Sequence, residues 1–229
     1  MARTMITAHS GCDGTPDNSI EFLKHAMTCA ADALEIDIQK DSAGRYYLSH
    51  DESAGGGLGL REAFAVLRDS DKLINCDLKK SDMELDVLSM ADELGLRGQI
   101  LFSGDVSSQL ARENHEIGKR TLLNLSSAVP ELAERFNRAR GLNEADIRRL
   151  AQACRSCGAR AVNIPHELCT DKNLDLFAEE GVVVSAWTVN DEAVARRLLA
   201  RGVCNITTRN TRLVCNLRAE IEDKNVSYG

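Results

Sequence analysis

Short apolar runs alternate with longer amphipathic stretches from one end of this 229-residue chain to the other, and no other feature restricts the fold as much. The runs Met5–His9, Ala33–Gln39, Leu73–Lys79, Gln99–Ser103, Lys119–Leu125, Arg160–Ile164, Val182–Val189 and Val203–Thr208 read as strands. Between them, Ser19–Thr28, Leu60–Arg68, Met83–Leu94, Ser107–Glu113, Asn143–Ser156, Asp171–Glu180 and Asp191–Arg201 repeat apolar residues at helical spacing, and a last helix is predicted over Arg212–Glu222. Asn18, with Glu21 three residues on, and Asn190 stand as N-caps, while Gly95, Gly158, Gly181 and Gly202 follow helical runs as stops. Strand–helix alternation builds parallel sheets with helices outside. Eight such units in 229 residues predict a (β/α)8 TIM barrel, one domain over residues 1–229, near the small end of the usual range. The rival is an open doubly wound sheet, which favours a Gly-rich phosphate loop running into a helix. Here His9-Ser10-Gly11-Cys12-Asp13-Gly14 opens instead onto a turn with Pro16.

Composition removes several classes of function. With 28 Lys+Arg against 35 Asp+Glu the net charge is −7, and the basic residues are scattered, which argues against nucleic acid or an anionic membrane as partner. No run approaches the ~18 apolar residues of a membrane span. The first residues lack the apolar stretch of a signal peptide, so a cytoplasmic location is expected. Eight cysteines in such a chain read as reduced thiols. Cys154-x-x-Cys157 lies inside a helical pattern without a partner pair, so packing is its predicted role. His25, on a helix, and His115, in a polar loop, are predicted to be structural or exposed.

Side chains alternate faces along a strand, which makes parity informative. In Ala33–Ile38, Leu34, Ile36 and Ile38 share the face suited to helices, and Glu35 and Asp37 share the other, roughly 6.6 Å apart along the strand. In the third strand Ile74, Cys76 and Leu78 alternate with Asn75, Asp77 and Lys79, and the first strand ends with Thr7 and His9 on one face. All these polar groups fall at strand carboxyl ends, where barrel active sites are built. Three carboxylates offer hard oxygen ligands for Mg²⁺ or Ca²⁺, and His9 and His50 can exchange protons near neutral pH. The set suits metal-assisted hydrolysis of a phosphoester.

The motifs carrying this set run through most of the chain. Ala8-His9-Ser10-Gly11 is followed by Thr15-Pro16-Asp17-Asn18-Ser19, Glu35-Ile36-Asp37, Ser49-His50-Asp51, Asp77-Leu78-Lys79, Ala186-Trp187-Thr188-Val189-Asn190 and Gly202-Val203-Cys204-Asn205-Ile206-Thr207-Thr208. In this order they resemble the motifs of the glycerophosphodiester phosphodiesterase family. The resemblance implies a TIM-barrel hydrolase, with a place in lipid and glycerol metabolism, that cleaves glycerophosphodiesters to glycerol 3-phosphate and an alcohol with a divalent cation. It implies Glu35, Asp37 and Asp77 as metal ligands, His9 and His50 as the acid–base pair, and Lys79, Trp187 and Ser10 at the substrate, with Trp187 packed on the glycerol part.

This sequence also departs from the family pattern. Ser10 stands where the family has Arg, Asp77 where Glu is usual and Asn205 where Asp is usual. Only Glu52–Gly59, with Gly55-Gly56-Gly57, replaces the long insertion of many relatives. Two alternatives follow: a degenerate barrel that binds a phosphorylated ligand without hydrolysing it, and an isomerase or aldolase in which Lys79 is an unpaired nucleophile.

Overall fold

The eight apolar runs become eight parallel strands in the computed structural model, which describes residues 3–52, 57–139 and 141–227. In chain order the strands are β1 (Met5–Ala8), β2 (Ala33–Lys40), β3 (Tyr46–Leu48), β4 (Leu73–Leu78), β5 (Ile100–Gly104), β6 (Leu122–Asn124), β7 (Ala161–Pro165), β8 (Val184–Trp187) and β9 (Asn205–Thr208). The parallel order is β5-β4-β2-β1-β9-β8-β7-β6, and β3 is a short antiparallel addition to β2. The ring closes between β5 and β6 through a single parallel bridge, Phe102 with Thr121. Two side chains reinforce that thin seam: Arg120 Nη1 donates to Ile100 O (3.0 Å) and Ser127 Oγ to Gly104 O (2.6 Å). The chain is a TIM barrel, as the alternation predicts.

The helices are α1 (Ile20–Thr28), α2 (Leu60–Leu67), α3 (Glu84–Glu93), α4 (Ser108–Glu113), α5 (His115–Arg120), α6 (Leu125–Ala128), α7 (Pro130–Ala139), α8 (Glu144–Ser156), α9 (Asp171–Glu179), α10 (Glu192–Arg201) and α11 (Thr211–Ser227). They cover the apolar faces of the strands. Leu34, Ile36 and Ile38 of β2 join Ile74, Cys76 and Leu78 of β4, Phe22 and Leu23 of α1 and Phe64 of α2 in one buried cluster. Each large side chain in it contributes about 1.5–3 kcal/mol. The four predicted glycine stops all take left-handed conformations after helices.

The structure corrects several local expectations. Ser19, not Asn18, caps α1 by accepting from Phe22 N–H, and Asp191, not Asn190, caps α10 by accepting from Val194 N–H. Both asparagines sit one residue earlier and serve the barrel mouth instead. His115 lies not in a loop but at the first position of α5, whose cap is Asn114. Lys119 and Arg120 end that helix, so β6 starts only at Leu122. The segment leading into α8 carries two further helices; α7 begins at Pro130, where a missing N–H costs nothing.

All eight cysteines are free, and Cys154 and Cys157 are buried side by side on α8 and its end, as packing residues. Burial pushes the Cys154 thiol up to about 12. Residues 53–56, which include Gly55 and Gly56 of the predicted short bridge, lie outside the described residues. At Gly57 a Cβ would come 2.0 Å from Leu48 O, so the returning chain has room only for glycine there. No helix among the described residues is long and apolar enough to cross a membrane.

Candidate active site

Strand register brings the acids together. Asp37 lies beside Asp77 and Glu35 beside Asn75 in the β2–β4 ladder, and neighbouring strands are about 4.8 Å apart. The carboxylate oxygens of Glu35, Asp37 and Asp77 can all lie within 4.8 Å of one another. Glu35 and Asp37 are 5% and 3% exposed, so their charges are largely removed from water. With His9, His50, Lys79 and Trp187 they line one cavity of about 420 Å³ at the carboxyl ends of the strands, a volume suited to a small ligand.

Each acid has its own support. Ser10 N–H donates to Glu35 Oε2 (3.0 Å). Asn18 clamps Asp37 at both ends: its Nδ2 donates to Asp37 Oδ2 (2.8 Å) and its Oδ1 accepts from Asp37 N–H (3.0 Å). Ser103 Oγ donates to Asp77 Oδ1 (2.7 Å) and accepts from Asn75 Nδ2 (3.0 Å). Lys79 Nζ lies 2.6 Å from Asp37 Oδ1 and 2.5 Å from Asp77 Oδ2. Burial works against the Lys79 charge, but Asp77 and Asp37 outweigh it and hold the ammonium above its ordinary range. A protonated, doubly paired lysine is not a nucleophile, which removes the isomerase or aldolase reading.

The carboxylates diverge in proton affinity. Burial, then the charges of Asp37 and Asp77, push the Glu35 carboxyl well above the usual range. Burial also acts to raise Asp37, but Lys79 and Asn18 overcome it and hold that carboxyl low. Three acids against one lysine leave negative charge that a hard divalent cation would neutralise. The oxygen donors therefore fit such an ion.

Both histidines present the same ring edge. His9 Nδ1 lies 2.9 Å from Ser10 O, and a carbonyl can only accept, so Nδ1 carries the hydrogen and Nε2 keeps its lone pair. Burial lowers the His9 pKa below the ordinary imidazole value, against the raising effect of that carbonyl. His50 Nδ1 donates to Asp51 Oδ1 (3.0 Å), which again leaves Nε2 open. The His50 loop is tied to the end of β2, with Ser49 N–H donating to Asp37 O (3.1 Å) and Gln39 Nε2 to His50 O (3.3 Å). The Trp187 ring lines the cavity, but its Nε1 is buried without a partner among the described residues, so the side chain offers the cavity apolar surface rather than a donor.

Ser10 is the misplaced member of the expected set. It is wholly buried, its Oγ accepts from Asn18 N–H (2.7 Å), and it does not line the cavity. It positions the Asn18 and Glu35 supports and cannot reach a substrate. Sequence reading missed Arg209, Asn18, Ser103, Asn124 and Asn163. For the two strand asparagines the parity rule held the signal: each is a polar residue at the inward position near the end of β6 or β7.

A second cluster, Cys12, Asp13 and His25, is structural. Asp13 accepts from Thr211 Oγ1 and pairs with His25 Nε2 (2.9 Å), tying the β1 loop to α1 and α11.

Residues 67–212 match the model of the glycerophosphoryl diester phosphodiesterase family. A glycerophosphodiester phosphodiesterase from Caldanaerobacter subterraneus is 23% identical across 94% of this chain and 98% of its own length. Among solved structures, a glycerophosphodiester phosphodiesterase from Parabacteroides distasonis superposes with a TM-score of 0.71 at 14% identity, covering 96% of this chain and 98% of that one. An Oleispira antarctica phosphodiesterase, solved with the product sn-glycerol-3-phosphate, superposes with a TM-score of 0.67 at 17% identity, covering 96% and 97%.

Proposed function

Because the chain belongs to the glycerophosphoryl diester phosphodiesterase family, we propose that it hydrolyses glycerophosphodiesters to glycerol 3-phosphate and an alcohol. The observation that carries this reading is the meeting of three carboxylates, two buried and one half-buried, and two histidines with open Nε2 atoms on one small cavity. Glu35, Asp37 and Asp77 would hold a divalent cation, Mg²⁺ or Ca²⁺. When bound, it supplies Lewis-acid neutralisation of a non-bridging phosphate oxygen.

The chain's own groups then move the protons. His9, kept neutral by burial, takes the proton from the attacking oxygen as its bond to phosphorus forms; that oxygen belongs to water, or to a neighbouring substrate hydroxyl whose cyclic phosphodiester a water then opens to glycerol 3-phosphate. His50, on the exposed side, gives a proton to the alcohol oxygen as its bond to phosphorus breaks. Lys79 keeps Asp37 ionised, pairs with Asp77 and adds positive charge beside the phosphate. Trp187 presents its ring to the glycerol carbons.

The test is product analysis on a panel of glycerophosphodiesters with Mg²⁺, Ca²⁺ or Mn²⁺. Release of glycerol 3-phosphate, lost in His9→Gln and His50→Gln variants that still fold, supports the reading. Glycerol 3-phosphate binding with no turnover under any cation would identify the degenerate, binding-only barrel instead.

A further inference from the structure

We propose that Arg209 is the phosphate-binding arginine of this chain, delivered from the turn after β9 while position 10 holds a buried serine. This assignment rests on the hydrolytic reading above. Arg209 follows directly on Thr208, and its backbone N–H donates to Asn190 Oδ1 (2.8 Å), which also accepts from Thr208 Oγ1 (3.3 Å). That explains why Asn190 is not a helix cap: it fixes the turn from which Arg209 departs.

The side chain crosses the β1 loop at Gly11. A Cβ there would lie 2.8 Å from Arg209 Nη1 and 1.7 Å from Asp17 Oδ1, and Gly11 has φ +75°. Gly11 thus leaves the groove in which an arginine–aspartate pair lies. Asp17 accepts from Nη1 (2.7 Å) and Nη2 (3.1 Å), and this fork sets the guanidinium plane.

The guanidinium lines the same cavity as His9, Glu35 and Asp37, and its side chain is 41% exposed. Lysine and arginine each contribute one residue to the lining, and the two differ in commitment. The Lys79 ammonium pairs with two carboxylates. Of the five guanidinium N–H groups, two face Asp17, and the other three have no acceptor among the described residues. A planar donor set held in place and facing an open cavity suits the paired oxygens of a phosphate. The ligand class is the phosphate common to a glycerophosphodiester and to glycerol 3-phosphate.

The experiment compares wild type with Arg209→Gln, Arg209→Lys and Asp17→Asn. The readouts are KM for a glycerophosphodiester, competitive inhibition by glycerol 3-phosphate and half-saturation by the cation. Removing the fork should raise KM and the inhibition constant about tenfold or more, with cation half-saturation within about twofold of wild type. Arg209→Lys should recover part of the loss, because charge returns without the fork. Asp17→Asn should fall between wild type and Arg209→Gln. KM and inhibition constants within about twofold of wild type in Arg209→Gln would overturn the assignment. Should the wild-type chain turn over no glycerophosphodiester, the hydrolytic reading fails, and calorimetry with glycerol 3-phosphate decides this one separately. Binding weakened about tenfold by Arg209→Gln upholds it, while equal binding by both, or none by wild type, overturns it.

Discussion

The two halves of the barrel interior are built from different chemistry. On the β2–β4 side the inward residues are Glu35, Asp37, Asp77 and Lys79, groups that are costly to bury and stable only in mutual pairing. On the β6–β9 side they are neutral. Thr7 Oγ1 donates to Asn205 Oδ1 (2.8 Å), Asn205 Nδ2 to Ser185 Oγ (2.9 Å), Ser185 Oγ to Asn163 Oδ1 (2.7 Å), and Asn163 Nδ2 to Asn124 Oδ1 (2.6 Å). This chain of four bonds links five strands, β1 and β9 to β6, without a single charge. Barrel interiors are more often filled by layers of Val, Ile and Leu, so both halves use polar groups where packing alone would serve stability. The difference fits the proposed division of tasks: the charged half would concentrate negative charge for a cation, and the neutral half would close a wall opposite it.

The comparison can be broken most severely at the charged side. His9→Gln, which removes the proposed proton acceptor, should lower kcat about 10²–10⁴-fold with little loss of thermal stability. A steady-state assay beside a melting curve checks this. Next comes the support behind the acids. Asn18→Ala removes both bonds to Asp37 and should weaken cation affinity about 10–100-fold, read by titrating activity with the metal.

The neutral wall should respond the other way. Asn205→Leu interrupts the bonds to Thr7 and Ser185 and should cost about 1–3 kcal/mol of unfolding free energy in denaturant titration. Its cation half-saturation should stay at the wild-type value. A large loss of cation affinity there would erase the division of labour between the halves.

The smallest effect is in pH. Burial lowers the His9 pKa, so its neutral, proton-accepting form persists to more acidic pH than an ordinary imidazole near 6.5 allows. The acid limb of kcat/KM assigned to His9 should therefore fall below that value. A limb above it would mean that the neutral form is not favoured.

The sequence was legible where periodicity carried information. In β2 and β4 the acids alternate with Leu, Ile and Cys, so strand parity alone separates the helix-facing side from the interior. The same rule, applied to β6 and β7, would have found Asn124 and Asn163. It stayed silent there because β6 is three residues long and is entered directly from α5. Asn18, Ser10 and Arg209 were not legible by that rule. They sit on loops and a turn with no repeat, and their roles come from what the closed barrel sets opposite them. Asn18 reads locally as a helix cap and takes φ +51° to reach Asp37 across nineteen positions. Arg209 meets Asp17 from the far end of the chain.

The central claim is that the three carboxylates hold a cation on which hydrolysis depends. Glycerol 3-phosphate release from a glycerophosphodiester, followed in one cuvette through addition of cation, then excess EDTA, then excess cation, tests it most directly. The account predicts turnover that EDTA abolishes and added cation restores, with none at any stage in Asp37→Ala. Turnover that continues unchanged in EDTA, or survives in Asp37→Ala at the wild-type rate, would contradict it.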